Sequence, residues 1–125
     1  MKLNFDDNRP IFLQIAEGIE DGILTDVFKE GEQIPSITEI SVTYQINPAT
    51  ALKGINLLVE EEIIFKKRGV GMFVKSGAVS KLEEKRRNEF FENYVKKMIE
   101  EAGKLKISKQ EIVAMIGRGF LDNEN

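Results

Sequence analysis

The sequence predicts a mainly α-helical chain with one small β-hairpin: a domain of three helices and the hairpin, followed by a tail of two helices. Three observations predict it. Apolar residues recur at three- and four-residue steps through most of the chain. Ser and Asn residues with Pro or Glu at the right offsets mark helix starts. Two short β-prone runs, Ile63-Ile64-Phe65 and Met72-Phe73-Val74, flank a glycine-containing basic segment.

The first helix is expected over residues 10–28. Asn8 or Arg9 precedes Pro10, a residue favoured at the first helical position. Phe12, Ile15, Ile19, Ile23 and Val27 give one apolar face. Gly18 and Gly22 each weaken this helix by ~1 kcal/mol relative to Ala and suit the close approach of a neighbour. Gly31 lies in the break that follows.

A short second helix is expected over 36–44, opened by Ser36 and Glu39 as a capping box behind Pro35, with Ile37, Ile40 and Tyr44 apolar. The break Gln45-Ile46-Asn47 leads to a third helix, with Asn47 as N-cap and Pro48 in its first turn. Leu52, Ile55, Leu58 and Val59 are expected to face inward. Ala49, Thr50, Lys53, Gly54 and Asn56, small, polar or basic, form the opposite face. Strands are expected at 63–67 and 72–75, around the tip Lys67-Arg68-Gly69-Val70-Gly71.

After the joint Ser76-Gly77-Ala78, the pattern is helical again from 79 to 102, ~36 Å long, and Gly103 ends it. Its first half is charged. Its second half carries an apolar stripe of Phe90, Phe91, Tyr94, Val95, Met98, Ile99 and Ala102. Ser108 and Glu111 open a last helix bearing Ile112, Val113, Met115, Ile116 and Phe120, and residues 122–125 read as a frayed end. The expected domains are 1–76 and 77–125.

Helix, short helix, turn, helix with a polar outer face, then a hairpin with a basic tip is the layout of a winged helix-turn-helix. The chemistry suits double-stranded DNA. A major groove about 12 Å wide admits one helix, entered by its N-terminal residues. Those residues here are Asn47, Pro48, Ala49, Thr50 and Lys53. Small side chains let the backbone approach, free amides at a helix start attract a phosphate, and Lys53 can reach a guanine edge or a phosphate. The tip can place a cation in the adjacent minor groove or on the backbone.

These residues resemble the N-terminal domain of GntR-family bacterial transcription regulators. The resemblance is carried by Pro10-Ile11-Phe12-Leu13-Gln14-Ile15, Ile34-Pro35-Ser36 with Glu39-Ile40, Asn47-Pro48-Ala49-Thr50, and Arg68-Gly69-Val70-Gly71-Met72-Phe73-Val74. The remaining 49 residues resemble the two-helix dimerising tail of the short YtrA-like subfamily. The resemblance implies DNA contacts from Ser36, Asn47, Thr50, Lys53, Arg68 and Gly69. With the flanking Thr38, Ala49, Lys67 and Gly71, these are the expected DNA-binding residues. It implies a homodimer on a palindromic operator, a repressor by promoter occupancy, and control of a neighbouring transporter operon. Four departures from the family pattern stand out. Thr38 replaces a frequent Arg, Glu62 stands where Gly is usual, Gly54 replaces a usual Ala and should loosen the third helix, and Met72 replaces a usual Thr.

Net charge is −3, with 18 Lys+Arg against 21 Asp+Glu, which by itself disfavours a nucleic-acid partner. Its distribution answers the objection. Residues 1–76 hold eight basic against twelve acidic residues, yet Lys53 is the one charge between Ile40 and Val59. From Phe65 to Lys75 there are four positive residues and no negative ones. So thin a positive face predicts few phosphate contacts and a shallow salt dependence per subunit. Useful binding then calls for two copies. The stripe Phe90, Phe91, Tyr94, Val95 and Met98 supplies the expected dimer interface, and two recognition helices would stand about 34 Å apart or a multiple of it.

Other chemistry is excluded by what is missing. The chain has no Cys and no His, so it can build no disulfide, thiolate nucleophile, imidazole base or imidazole metal site. Glu60-Glu61-Glu62 are successive helical residues that do not converge on a metal, and Lys85-Arg86-Arg87 reads as a solvated face. No enzyme, cofactor or metal site is expected. No apolar run approaches the ~20 residues of a membrane span, and Met1 to Asp7 lacks the apolar segment of a secretory signal, so a cytoplasmic location without a membrane partner is expected. A small-molecule effector would find room near Phe91 and Tyr94 at the dimer interface. The alternative function is a winged helix that binds protein. That reading requires an apolar outer face on the third helix, where the sequence places polar residues.

Overall fold

A computed structural model describes residues 2–123. The chain divides into two compact units, residues 1–85 and 86–125.

In the first unit, α1 spans Ile11–Leu24, α2 Ile37–Tyr44 and α3 Pro48–Glu60. Strands β1 (Ile64–Lys67) and β2 (Gly71–Val74) pair antiparallel, Ile64 opposite Val74 and Lys67 opposite Gly71. The start of α4 (Ala78–Phe90) completes the unit, with Ala78 and Leu82 buried in its core. Ile15, Ile19, Ile23, Ile40, Ile55, Leu58, Ile63, Ile64 and Val74 fill that core, each at most 1% exposed. Full burial of each such side chain is worth about 1.5–3 kcal/mol, so this cluster dominates the stability of the unit.

The first helix is shorter than its pattern suggests. Pro10 is the N-cap rather than the first helical residue, and the helix stops at Leu24. Gly22 O accepts from both Val27 N and Phe28 N (2.8 and 3.0 Å), and Asp26 adopts a positive φ of 63°. This turn lays the Phe28 ring over Gly22, where an added Cβ would stand 2.7 Å from ring carbons. Phe28 therefore takes the packing place expected of Val27, which is 66% exposed. Leu52 is likewise exposed rather than inward, and Gly54, expected on the outer face, is buried.

Ahead of α1, the buried Gln14 ties down the N-terminal arm. Its amide accepts from Asn4 N (2.8 Å) and donates to Asn4 O (2.9 Å) and Arg9 O (3.0 Å). A second latch joins three helices. Lys85 on α4 lies 2.8 Å from Glu20, buried on α1, and 2.9 Å from Glu61 at the end of α3. Burial opposes the Lys85 charge, but the hydrogen bonds to Glu20 and Glu61 outweigh it and hold its pKa above the ordinary lysine value.

Glu30 caps α4 from outside the helix. Its carboxylate accepts from Gly77 N (2.8 Å) and Val79 N (3.1 Å), and these bonds, Gly77 first, hold its pKa below the usual 4.5. A lowered folded pKa means a stabilising contribution that is complete above pH 4.5 and fades as pH falls through the lower folded value. Melting curves between pH 7 and pH 3 should show Glu30→Gln less stable than the parent near neutrality. The gap should narrow below about pH 4.5; a gap of constant width would show that the cap does not depend on ionised Glu30.

The helix expected over 79–102 forms, but its hydrogen bonding changes part-way along. After α4 the backbone forms a π-helical turn at Phe91–Val95 and then α5, Lys96–Lys104. The helix passes Gly103 and ends where Lys106 turns left-handed (φ 58°). A turn with i to i+5 bonds takes one more residue than an α-turn, which hydrophobic periodicity does not register. Helix α6, Lys109–Asn123, follows, with Glu111 N donating to Ser108 Oγ at 3.1 Å. It includes Asp122 and Asn123, expected to fray; residues 124 and 125 lie outside the described residues.

Candidate nucleic-acid interface

Helix α2 starts on a complete capping box. Ser36 Oγ accepts from Glu39 N (3.0 Å), and Ser36 N donates to Glu39 Oε1 (3.3 Å). Thr38, one residue into the helix, is exposed. Gln45 reverses the chain in a left-handed conformation (φ 53°), and Asn47 opens α3.

The start of α3 departs from the sequence expectation in one respect. Its amides are not free. Pro48 has none, Ala49 N donates to Asn47 Oδ1 (2.8 Å), and Thr50 N and Ala51 N donate to Asn47 O (3.0 and 3.1 Å). A phosphate held by backbone N–H groups there would have to displace the Asn47 side chain. What the turn offers instead is side chains. The Asn47 amide nitrogen has no partner among the described residues, and Asn47, Ala49 and Lys53 are exposed with Thr50 half-buried. Lys53 Nζ rests over the Phe12 ring, 4.1 Å from its centroid, so α1 shapes the path of this cation.

The wing continues the same unit. Lys66, Lys67, Arg68 and Gly69 are exposed, and none of the three cations makes an ion pair among the described residues. Lys67 Nζ stands 5.1 Å from the Phe73 ring, which stacks on Phe65 at 5.9 Å. The fourth positive residue of this segment is spent otherwise: Lys75 lies 3.6 Å from Glu62. Gly69 (φ 78°) and Gly71 (φ 147°) both use backbone conformations that L side chains resist. Sequence reasoning missed one element here. Residues 31–34 run along β2, with Gly31 N donating to Val74 O (2.8 Å), Val74 N to Glu32 O (2.9 Å) and Ile34 N to Met72 O (2.9 Å). Nothing in this polar, glycine-containing stretch has the β-prone signature that would have revealed it.

A helix-turn-helix followed by a two-stranded wing is the domain of a known regulator family, and residues 12–74 match the family described as bacterial regulatory proteins, gntR family. The chain belongs to the GntR family. The HTH-type transcriptional regulator YhcF of Bacillus subtilis (strain 168), itself uncharacterized, is 30% identical over 115 residues, 90% of this chain and 92% of that one. A solved GntR family transcriptional regulator from Listeria monocytogenes is 31% identical, with TM-score 0.75 over 91% of this chain and 98% of that one. YtrA from Sulfolobus acidocaldarius, a GntR-family transcription factor, is 30% identical with TM-score 0.58 over 100% of both chains. This is a GntR regulator of the YtrA type, a DNA-binding transcription regulator and not an enzyme.

Two departures from the GntR pattern acquire reasons. Glu62, where Gly is usual, holds φ 60°, and its carboxylate sits between Lys75 (3.6 Å) and Lys81 (3.7 Å), which offsets part of the backbone cost. Gly54 has a packing role beside its cost in helix propensity. An added Cβ there would stand 2.6 Å from Phe12 O and 3.2 Å from Ile15, so its absence lets α3 and α1 pack backbone to backbone.

In the second unit, the predicted interface residues Phe90, Phe91, Tyr94 and Met98 are exposed and Val95 is half-buried. The Phe90 and Tyr94 rings pair at 5.5 Å. Beside them, Met98, Ala102, Leu105, Ile112, Met115 and Ile116 line an apolar groove of about 370 Å³ between α5 and α6. The last helix thus leaves Phe90, Phe91, Tyr94, Met98 and Ile99 of the stripe exposed. No helix among the described residues is long and apolar enough to cross a membrane.

Proposed function

We propose that the protein is a cytoplasmic homodimeric repressor that binds a palindromic operator. In this reading α3 enters the major groove with Asn47, Ala49, Thr50 and Lys53. Ser36 and Thr38 flank it from α2, and Lys67, Arg68, Gly69 and Gly71 bring the wing to the adjacent backbone or minor groove. Phe90, Phe91, Tyr94, Val95 and Met98 join two copies. Repression follows from occupying a promoter.

The observation that carries this reading is the unspent chemistry at α3 and the wing. The Asn47 amide and the cations of Lys66 and Arg68 have no partners among the described residues, whereas Lys75, Lys81 and Lys85 are ion-paired. Polar groups left exposed and unused at the start of a helix favour a nucleic acid over the apolar contact of a protein-binding winged helix.

Lys53→Ala and Arg68→Ala should each weaken operator binding about tenfold or more, at ~1–3 kcal/mol per contact, with the dimer intact. Gel shifts on DNA upstream of the protein's own gene, alongside sedimentation, read both quantities. Undiminished binding by both variants would refute the site. A footprint without two-fold symmetry would refute the palindrome.

A further inference from the structure

We propose that Gln33 is a positioning residue for the wing: its side-chain amide holds the Val70 carbonyl and thereby aims Lys67 and Arg68 at DNA. This rests on the proposed use of the wing as a DNA contact. Gln33 Nε2 donates to Val70 O at 3.1 Å, across 37 residues of sequence. The backbone of Gln33 is itself fixed, bridged antiparallel to Phe73 within the stretch 31–34 that lies along β2. A rigid base therefore carries the side chain that grips the tip.

The tip needs such a grip. The ladder between β1 and β2 ends at the pair Lys67 and Gly71, and beyond it one bond, Val70 N to Lys67 O at 2.9 Å, closes the turn. A two-stranded hairpin this short is marginal without support. Gly71 fits the same device. Its φ is +147°, and a Cβ there would stand 2.3 Å from Gln33 Nε2, so any side chain would drive the amide off the carbonyl. The stretch from Gln33 runs on to Ser36, the N-cap of α2, so one short segment supports the wing tip and leads directly into the helix-turn-helix.

The test is a double-mutant cycle, read by fluorescence anisotropy on a duplex that the parent protein selects from a random-sequence pool. Gln33→Met keeps the length of the side chain and removes the donor; Gln33→Glu turns donor into acceptor. Both should weaken binding about five- to twentyfold, because an untethered tip must be ordered on the DNA in each of two half-sites, while the thermal midpoint moves far less, the bond being exposed at the edge of the unit. In a Lys67→Ala/Arg68→Ala background Gln33→Met should have no further effect, because the groups that it aims are gone. Parent-like binding by Gln33→Met while Lys67→Ala/Arg68→Ala is impaired would overturn the proposal and leave the wing reading standing. So would losses that multiply, or a midpoint that falls in step with affinity. If Lys67→Ala/Arg68→Ala itself binds like the parent, the wing reading fails and this proposal with it.

Discussion

Gly54→Ala should destabilise the protein, although helix propensity alone says the opposite. Placing Ala in a helix interior gains ~1 kcal/mol over Gly. Against that, the new methyl would lie 2.6 Å from a backbone oxygen, Phe12 O, and 3.2 Å from two carbons of the buried Ile15. A flexible side chain could step aside, but a carbonyl inside α1 can move only with its helix. Overpacking of this kind costs about 1–3 kcal/mol or more. The expected net loss is about 1 kcal/mol, read as a fall of about 6 °C in Tm for a unit of this size. Gly54→Val should fall further, since it adds bulk and a β-branch at the same contact. Thermal melts followed by circular dichroism decide the matter. A Gly54→Ala protein that melts above the parent would mean that α1 and α3 do not approach so closely.

Tyr94→Glu should abolish dimerisation and take operator binding with it. Tyr94 is 65% exposed and touches the Phe90 ring, so the substitution removes nothing from the core of either unit. In a symmetric dimer it would bring two carboxylates into an apolar contact without partners. An uncompensated buried charge costs about 3–5 kcal/mol, or a hundredfold and more in the dimer dissociation constant. The consequence for DNA is larger than for the dimer alone. Linking two weak modules multiplies affinity by about 10²–10⁴ through effective concentration, and a monomer forfeits that factor. Sedimentation should show a monomer with parent-like helicity, and the gel shift should vanish at concentrations where the parent binds fully. A Tyr94→Glu protein that remains dimeric would place the interface elsewhere, with the apolar groove between α5 and α6 the next surface to test.

Much of the winged domain is legible in the order of its residues because its punctuation is local. The capping box of Ser36 and Glu39, the N-cap Asn47 with Pro48, and Gly69 at the hairpin tip all act within a few residues, and each occupies its expected place. The errors arise where a distant partner overrides the local pattern. Val27 gives up its place to Phe28, because Gly22 leaves room for the ring. Gly54 looks like a weak spot in one helix and is the contact point of two. The π-turn at Phe91–Val95 is invisible because it needs no special residue.

The candidate site divides in the same way. Which polar and basic groups stand exposed at a helix start or a hairpin tip was readable from residue type and position. How those groups are occupied was not. Asn47 uses its own oxygen to close the helix start, Lys53 lies over Phe12, and Lys75 is drawn to Glu62. Glu30 and Gln33 gave no signal at all.

The amino-acid sequence by itself determined the family, the order of the winged domain's helices and strands and where α2 and α3 start, because periodicity, caps and turn residues are written within one or two turns of chain. Only the tertiary structure decided which glycine marks a helix crossing, which cations stay unpaired, and that residues 31–34 lie along the wing. Those depend on groups that are tens of residues apart in the chain and a few ångströms apart in space, a proximity that no local pattern encodes.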